Sequence, residues 1–158
     1  MYDIKKIRDE IKDIPWTEFW QFLQLPKNID HHEVGDLNRS IPGLIGIFTE
    51  IVVKGGELER FINDYKLIKT RAIKLSPGVC YPMHKDGTTR VHLVVDTDPN
   101  CFFVEDYKLI HMPADGIPVD VDTTKMHTAF NASKDKERIH IVGCYNEVQV
   151  DKEFLRYT

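Results

Sequence analysis

The chain has 158 residues, a formal net charge of −4, 42% hydrophobic and 29% charged residues. That is the ordinary balance of one globular domain, and it excludes a disordered or fibrous chain. Mild acidity gives no general pull toward a phosphate backbone, which counts against a dedicated nucleic-acid binder, and no apolar run approaches the ~18 residues of a membrane span. The first residues, MYDIKKIRDEIKD, are charged throughout and hold no signal-peptide core. Cys80, Cys101 and Cys144 are odd in number and widely spaced, so they read as reduced thiols rather than a disulfide framework. Together these features predict a cytoplasmic protein.

Ile4, Ile7, Ile11 and Ile14 recur at helical spacing before Pro15 punctuates the chain. Trp16, Phe19, Trp20 and Leu23 form a second apolar stripe, read as helical core. Pro26 to Arg39 has no period and reads as a loop that carries His31 and His32. Ser40 is a candidate cap for a helix with Pro42 in its first turn and Leu44, Ile47, Phe48 and Ile51 on its apolar face. Gly55-Gly56 ends it, and Leu58, Phe61 and Ile62 predict a short further helix reaching Tyr65.

After about residue 66 the texture becomes β-rich. Strands are predicted at 67–75, 89–95, 101–104, 107–111, 117–121, 126–130 and 138–145, separated by turn signals such as Asp86-Gly87 and Asp98-Pro99-Asn100. Many short strands at near-regular spacing predict an antiparallel sandwich or jelly roll, with the N-terminal helices covering one sheet. The expected organisation is a single domain: a helical sheet-covering region over 1–65 and a β core over 66–150.

No Gly-rich phosphate loop, HExxH or GxSxG is present. His84, Asp86, His127 and Arg138 stand out instead. His84 and Asp86 are two apart, so an extended backbone projects both from one face. Alone, such a pair also fits an exposed loop. Two imidazoles and a carboxylate on one side of a metal ion form a facial triad, which leaves three adjacent positions for a bidentate 2-oxo acid and dioxygen. Arg138 begins a run in which it shares a face with His140. Facing inward, a guanidinium needs an anionic partner, and the far carboxylate of a 2-oxo diacid matches its fork. Facing solvent, it has Asp135 or Glu137 nearby. Lys69 and Arg71 share a face of the first strand and Lys74 lies on the other, so at least one set is expected in solvent.

The runs Leu75-Ser76-Pro77-Gly78, His84-Lys85-Asp86-Gly87 and Arg90-Val91-His92-Leu93-Val94-Val95 resemble the aspartyl/asparaginyl β-hydroxylase family of Fe(II)/2-oxoglutarate-dependent oxygenases. So do His127-Thr128-Ala129-Phe130-Asn131 and Arg138-Ile139-His140-Ile141-Val142, and the resemblance spans about residues 67–146. It implies a mainly β fold, a double-stranded β-helix (jelly roll, cupin-like) with N-terminal helices. It implies His84, Asp86 and His127 as Fe(II) ligands and Arg138 as the group that holds 2-oxoglutarate, with O2 as co-substrate. Arg90 and His92 then face into the pocket, where such residues bind an acidic group of substrate or help position co-substrate, and Tyr81 and Asn131 lie near enough to touch co-substrate. The carboxylate ligand makes the chain more like small bacterial amino-acid and proline hydroxylases than the vertebrate hydroxylases of protein domains.

The expected function is therefore hydroxylation of an unactivated C–H bond in an amino acid or peptidyl side chain, with no membrane partner. Two rivals stand beside it: a non-catalytic cupin-like metal or small-molecule binding module, and an oxygenase acting on a nucleobase or other metabolite. The first is disfavoured because the HxH…E…H ligand pattern is absent; the second finds no support in the net charge.

Overall fold

The computed structural model describes residues 1–34 and 42–145. The candidate cap Ser40, the end of the expected 26–39 loop and residues 146–150 of the expected β core lie outside them. No helix among the described residues is long and apolar enough to cross a membrane.

Helix α1 runs from Ile4 to Ile11, and Asp3 caps it by accepting a hydrogen bond from Lys6 N at 3.1 Å. Helix α2 runs from Glu57 to Asp64. The carboxylate of Glu10 on α1 caps it, accepting from Glu57 N at 2.8 Å and Leu58 N at 3.1 Å. Gly56 permits that approach, because a Cβ there would stand 1.6 Å from Glu10 Oε1.

Between the helices the expectation needs correction. The 16–23 stripe is not a helix: β1 is Trp20–Phe22 and β2 is Gln24–Pro26. Nor is 42–55 one helix; a 3-10 turn over Pro42–Ile47 leads into β3, Phe48–Ile51. Local apolar spacing is overruled by an open sheet edge. Residues Trp20, Gln21 and Phe22 pair with Ile73, Ala72 and Arg71, and β2 pairs with β3. Buried Gln21 supports the turn into β1 by donating from Nε2 to the carbonyls of Ile11 and Ile14, each at 2.8 Å.

The strands of the core follow the predicted positions closely: β4 Leu67–Leu75, β5 Arg90–Asp96, β6 Cys101–Glu105, β7 Lys108–Ile110, β8 Val119–Val121, β9 His127–Asn131 and β10 Arg138–Tyr145. One antiparallel sheet has the order β1-β4-β10-β5-β8, and the other β7-β6-β9. Residues 80–84 extend the second sheet, with bridges Cys80↔Phe130 and His84↔His127. Eight core segments thus divide between two facing sheets, β4-β10-β5-β8 and β7-β6-β9-(80–84). Apart from the β6–β7 hairpin, each step along the chain crosses from one sheet to the other. This winding makes the fold a double-stranded β-helix, or jelly roll, as the sequence predicted.

Alternation divides the strands between two cores. Outward-facing Ala72, Val91, Leu93, Val95 and Ile141 pack under Ile7, Ile11, Leu58, Phe61 and Ile62 of the helices, so the helices do cover the larger sheet. Between the sheets, Leu75, Val94, Phe103, Met112, Val121 and Ala129 form a second cluster at one end of the sandwich. The other in-facing positions of β4, β5 and β10 include the polar Arg71, Arg90, His92, Arg138 and His140 beside the apolar Ile73 and Val142.

Strand β4 carries a bulge. Its register with β10 shifts between Val142 and Cys144, and Lys69 sits there at φ 49°. Buried Gln24 supplies the missing ladder contacts: Nε2 donates to Leu67 O at 2.9 Å and Oε1 accepts from Thr70 N at 3.0 Å. Gly143 lies opposite, where a Cβ would meet Leu67 Cδ1 at 2.4 Å. Gln24→Leu is expected to leave both backbone groups unsatisfied and to lower stability by about 2 kcal/mol, read as a shift in the urea midpoint at unchanged slope.

Candidate metal centre

His84 and His127 face one another across the second sheet. Each backbone N–H donates to the other's carbonyl, His84 N to His127 O at 3.0 Å and the reverse at 2.9 Å. This reciprocal pair sets the two imidazoles side by side, with ring centroids 4.2 Å apart. Two residues on, Asp86 N donates to Thr123 O at 2.7 Å, which turns the Asp86 carboxylate toward the same point. One donor atom from each of His84, Asp86 and His127 lies within 4.8 Å of the others.

The ring nitrogens are committed in the sense a metal requires. His84 Nδ1 is 2.7 Å from Pro82 O, and His127 Nδ1 is 2.9 Å from Lys125 O. A carbonyl only accepts, so both Nδ1 atoms carry a proton, which leaves Nε2 of each ring as the nitrogen available to a metal. Both Nε2 atoms lie toward an anionic oxygen: Asp86 Oδ2 is 3.2 Å from His127 Nε2 and 4.0 Å from His84 Nε2. Oδ2 is buried and has no hydrogen-bond partner among the described residues. With both Nε2 atoms deprotonated, the three converging groups repel one another, and a divalent cation among them removes the repulsion. Two imidazoles and one carboxylate suit a first-row transition metal, so the donor set fits such an ion.

The exposures are graded. The side chain of His84 is 42% exposed, Asp86 19% and His127 5%. Phe103 stacks on the His127 ring with centroids 5.7 Å apart. Burial raises the Asp86 carboxyl, but Arg90 and the two imidazoles outweigh it and hold the group down at about 2.

Behind these donors lies a cavity of about 70 Å³, lined by Tyr81, His84, Arg90, His92, His127 and Arg138 together with Ile73, Thr123, Ala129 and Val142. Arg138, on β10, is 3% exposed. Among the described residues it has no carboxylate at ion-pair distance, and its Nε is buried without a hydrogen-bond partner. The reading that paired it with Asp135 or Glu137 in solvent is thereby corrected: β10 alternation turns it inward, and it is Lys74 whose Nζ lies 3.6 Å from Glu137. Burial pushes the Arg138 guanidinium down to about 10, which still leaves it charged at neutral pH. The Tyr81 hydroxyl, in the same cavity, is also buried without a hydrogen-bond partner among the described residues.

Arg90 lines the cavity, but its nearest anionic group is Asp86, with Nη2 3.1 Å from Oδ2. It therefore supports a candidate ligand as well as facing a possible substrate. His92 lines the cavity too. Asn131 does not belong with them. Its amide donates to Leu75 O at 2.9 Å and Lys136 O at 2.7 Å, and its oxygen accepts from Ser133 N at 3.0 Å. Both amide protons are used in shaping the turn before β10, and no donor remains for co-substrate.

Several residues of this interior were given no ligand or substrate role by the sequence. Thr123 lines the cavity, and its carbonyl holds Asp86 N. Buried His140 places its Nδ1 3.0 Å from His92 Nδ1. Arg71 is buried on the in-facing side of β4; burial, then Arg90, push it down to about 10. Burial and then Arg71 push Lys69 down to about 7. The i, i+2 spacing of these cations was visible, but not which face was covered.

No family model matches the chain, and no curated protein matches it. Similar solved structures include a cupin 2 conserved barrel domain protein from Salinispora arenicola. It is 16% identical with a TM-score of 0.41, over 55% of this chain and 70% of that one. A protein described as a predicted oxalate decarboxylase from Thermotoga maritima is 14% identical with a TM-score of 0.42, over 60% and 76%. A prolyl-4-hydroxylase from Pseudomonas putida is 14% identical with a TM-score of 0.30, over 90% and 82%.

Two substitutions separate the donors from their scaffold. His127→Ala removes a donor and is expected to abolish Zn(II) binding in calorimetry. Asn131→Ala is expected to leave Zn(II) affinity unchanged while lowering unfolding stability by about 1–3 kcal/mol, because it strands buried backbone groups. Equal Zn(II) binding by His127→Ala and the wild type would refute the assignment.

Proposed function

We propose that the chain is an Fe(II)/2-oxoglutarate-dependent dioxygenase that hydroxylates an unactivated C–H bond of an amino acid or peptidyl side chain, related to the aspartyl/asparaginyl β-hydroxylases. The observation that carries this reading is Arg138: a buried, charged guanidinium, without a carboxylate partner among the described residues, in the cavity behind three converging metal donors. An uncompensated buried charge is costly, and a resident anion offsets that cost. A dicarboxylate that also reaches the metal meets both demands at once.

In this reading His84, Asp86 and His127 hold the iron. When bound, iron and 2-oxoglutarate would supply the oxidising chemistry: one atom of O2 enters the substrate C–H bond as hydroxyl and the other enters succinate, which 2-oxoglutarate becomes on losing carbon dioxide. The protein's own contributions are orientation and exclusion. Arg138 receives the tail carboxylate through two parallel N–H donors. The Tyr81 hydroxyl adds a third donor close by. Ile73, Ala129 and Val142 keep that end of the cavity apolar, so the carboxylate is held in a poorly solvated place where each hydrogen bond counts for more. Three protein donors rather than four leave coordination positions for small ligands. Arg90 steadies the Asp86 carboxylate while His84, the most exposed donor, marks the side from which substrate approaches.

The test separates metal from co-substrate. Arg138→Met is expected to weaken 2-oxoglutarate binding to the metal-loaded protein by roughly 100-fold, as two charge-assisted hydrogen bonds are lost. Zn(II) affinity should stay at the wild-type value. Arg138→Lys should recover only part of the loss, since an ammonium cannot fork. Iron-loaded wild-type protein that neither binds 2-oxoglutarate nor releases succinate with any amino acid or peptide would overturn the proposal.

A further inference from the structure

His92 and His140 form a buried imidazole pair whose role the donor set does not explain. Both are on in-facing positions, His92 on β5 and His140 on β10, where the register sets His140 against Val94 and Val142 against His92. Their Nδ1 atoms are 3.0 Å apart, and the rings stand at 88°. Phe103 packs edge-on against His92 with centroids 5.4 Å apart and fixes its ring plane. His92 lines the cavity with Arg138; His140 is not among the lining residues.

Two nitrogens at that distance share one proton, since two bare lone pairs or two N–H groups would repel. Burial, then Arg138, disfavour a charged form of either ring, so each imidazole is neutral with a single N–H. Only two arrangements remain. If His92 donates, its Nε2 is bare and repels an anion. If His140 donates, the His92 proton sits on Nε2, the nitrogen left for a cavity ligand. An interior built around Arg138 to receive a carboxylate selects the second arrangement.

We propose that His140 is a positioning residue that fixes the tautomer of His92, making His92 Nε2–H a hydrogen-bond donor to the carboxylate-bearing ligand of the cavity. This rests on the proposed reading of Arg138 as the carboxylate site. His140 never touches the ligand; it acts through the ring it orients, as outer partners do for metal-bound histidines.

The experiment uses full-length protein loaded with redox-silent Zn(II) and titrated with 2-oxoglutarate. His140→Leu removes the donor and is expected to weaken 2-oxoglutarate binding by at least about ten-fold at unchanged Zn(II) affinity. His140→Asn keeps an N–H near the position of Nδ1–H and should remain within about three-fold of wild type, a rescue that mere packing would not give. Long-range nitrogen–proton NMR on the wild type, which requires no variant to fold, should find His92 protonated at Nε2. Finding the His92 proton on Nδ1, equal binding by His140→Leu and wild type, or no rescue by His140→Asn would overturn the inference. A wild type that binds no 2-oxoglutarate at all would instead sink the proposed function on which it rests.

Discussion

The reciprocal backbone pairing of His84 with His127 is the constraint on which the site depends. It joins the 80–84 segment to β9 and thereby brings two distant imidazoles ring to ring. Each carbonyl that fixes an Nδ1 comes from two residues earlier in the same chain segment, Pro82 for His84 and Lys125 for His127. Backbone geometry alone therefore settles tautomer and direction for both rings. Asp86 is brought in by one further backbone hydrogen bond, to Thr123. A site built on strand ends in this way holds its donors more firmly than one built on long loops.

The charge distribution complements that geometry. Burial lowers Arg71 and Arg138 from their usual values, yet both stay protonated at neutral pH, while Arg90, beside Asp86, is held above its usual value. Asp86 is the one carboxylate within the donor set, and Arg90 leans on it. The interior is thus suited to a metal ion together with an anion, rather than to a neutral or cationic guest. The apolar faces of the same strands carry the fold, packing against α1 and α2 on the opposite side of the larger sheet. One alternation along β4, β5 and β10 separates stability from chemistry.

Much of this was legible because strand alternation is a local property. The spacing of Arg90 and His92, or Arg138 and His140, determines a shared face without knowledge of the partner strand. A sandwich or jelly roll followed from the number and spacing of β runs, while the double-stranded β-helix and the set of three donors followed from the resemblance carried by the motif residues. What could not be read was nonlocal. The Trp16–Leu23 stripe has helical spacing, but the open edge of β4 draws Trp20–Phe22 into a strand. Asn131 sits among the motif residues, yet the turn before β10 takes both its amide protons. The β4 bulge and its support by Gln24 depend on a pairing register that no single segment encodes. Likewise, the His92–His140 contact arises only when β5 and β10 are neighbours.

The most direct test of the account is a crystal structure of the protein grown anaerobically with Mn(II), a redox-silent stand-in for iron, and 2-oxoglutarate. The account predicts an anomalous peak about 2.0–2.3 Å from Nε2 of His84, Nε2 of His127 and a carboxylate oxygen of Asp86. It predicts no further protein ligand, with the co-substrate running from the metal to Arg138. A metal bound elsewhere, or a fourth side chain closing its coordination sphere, would contradict it.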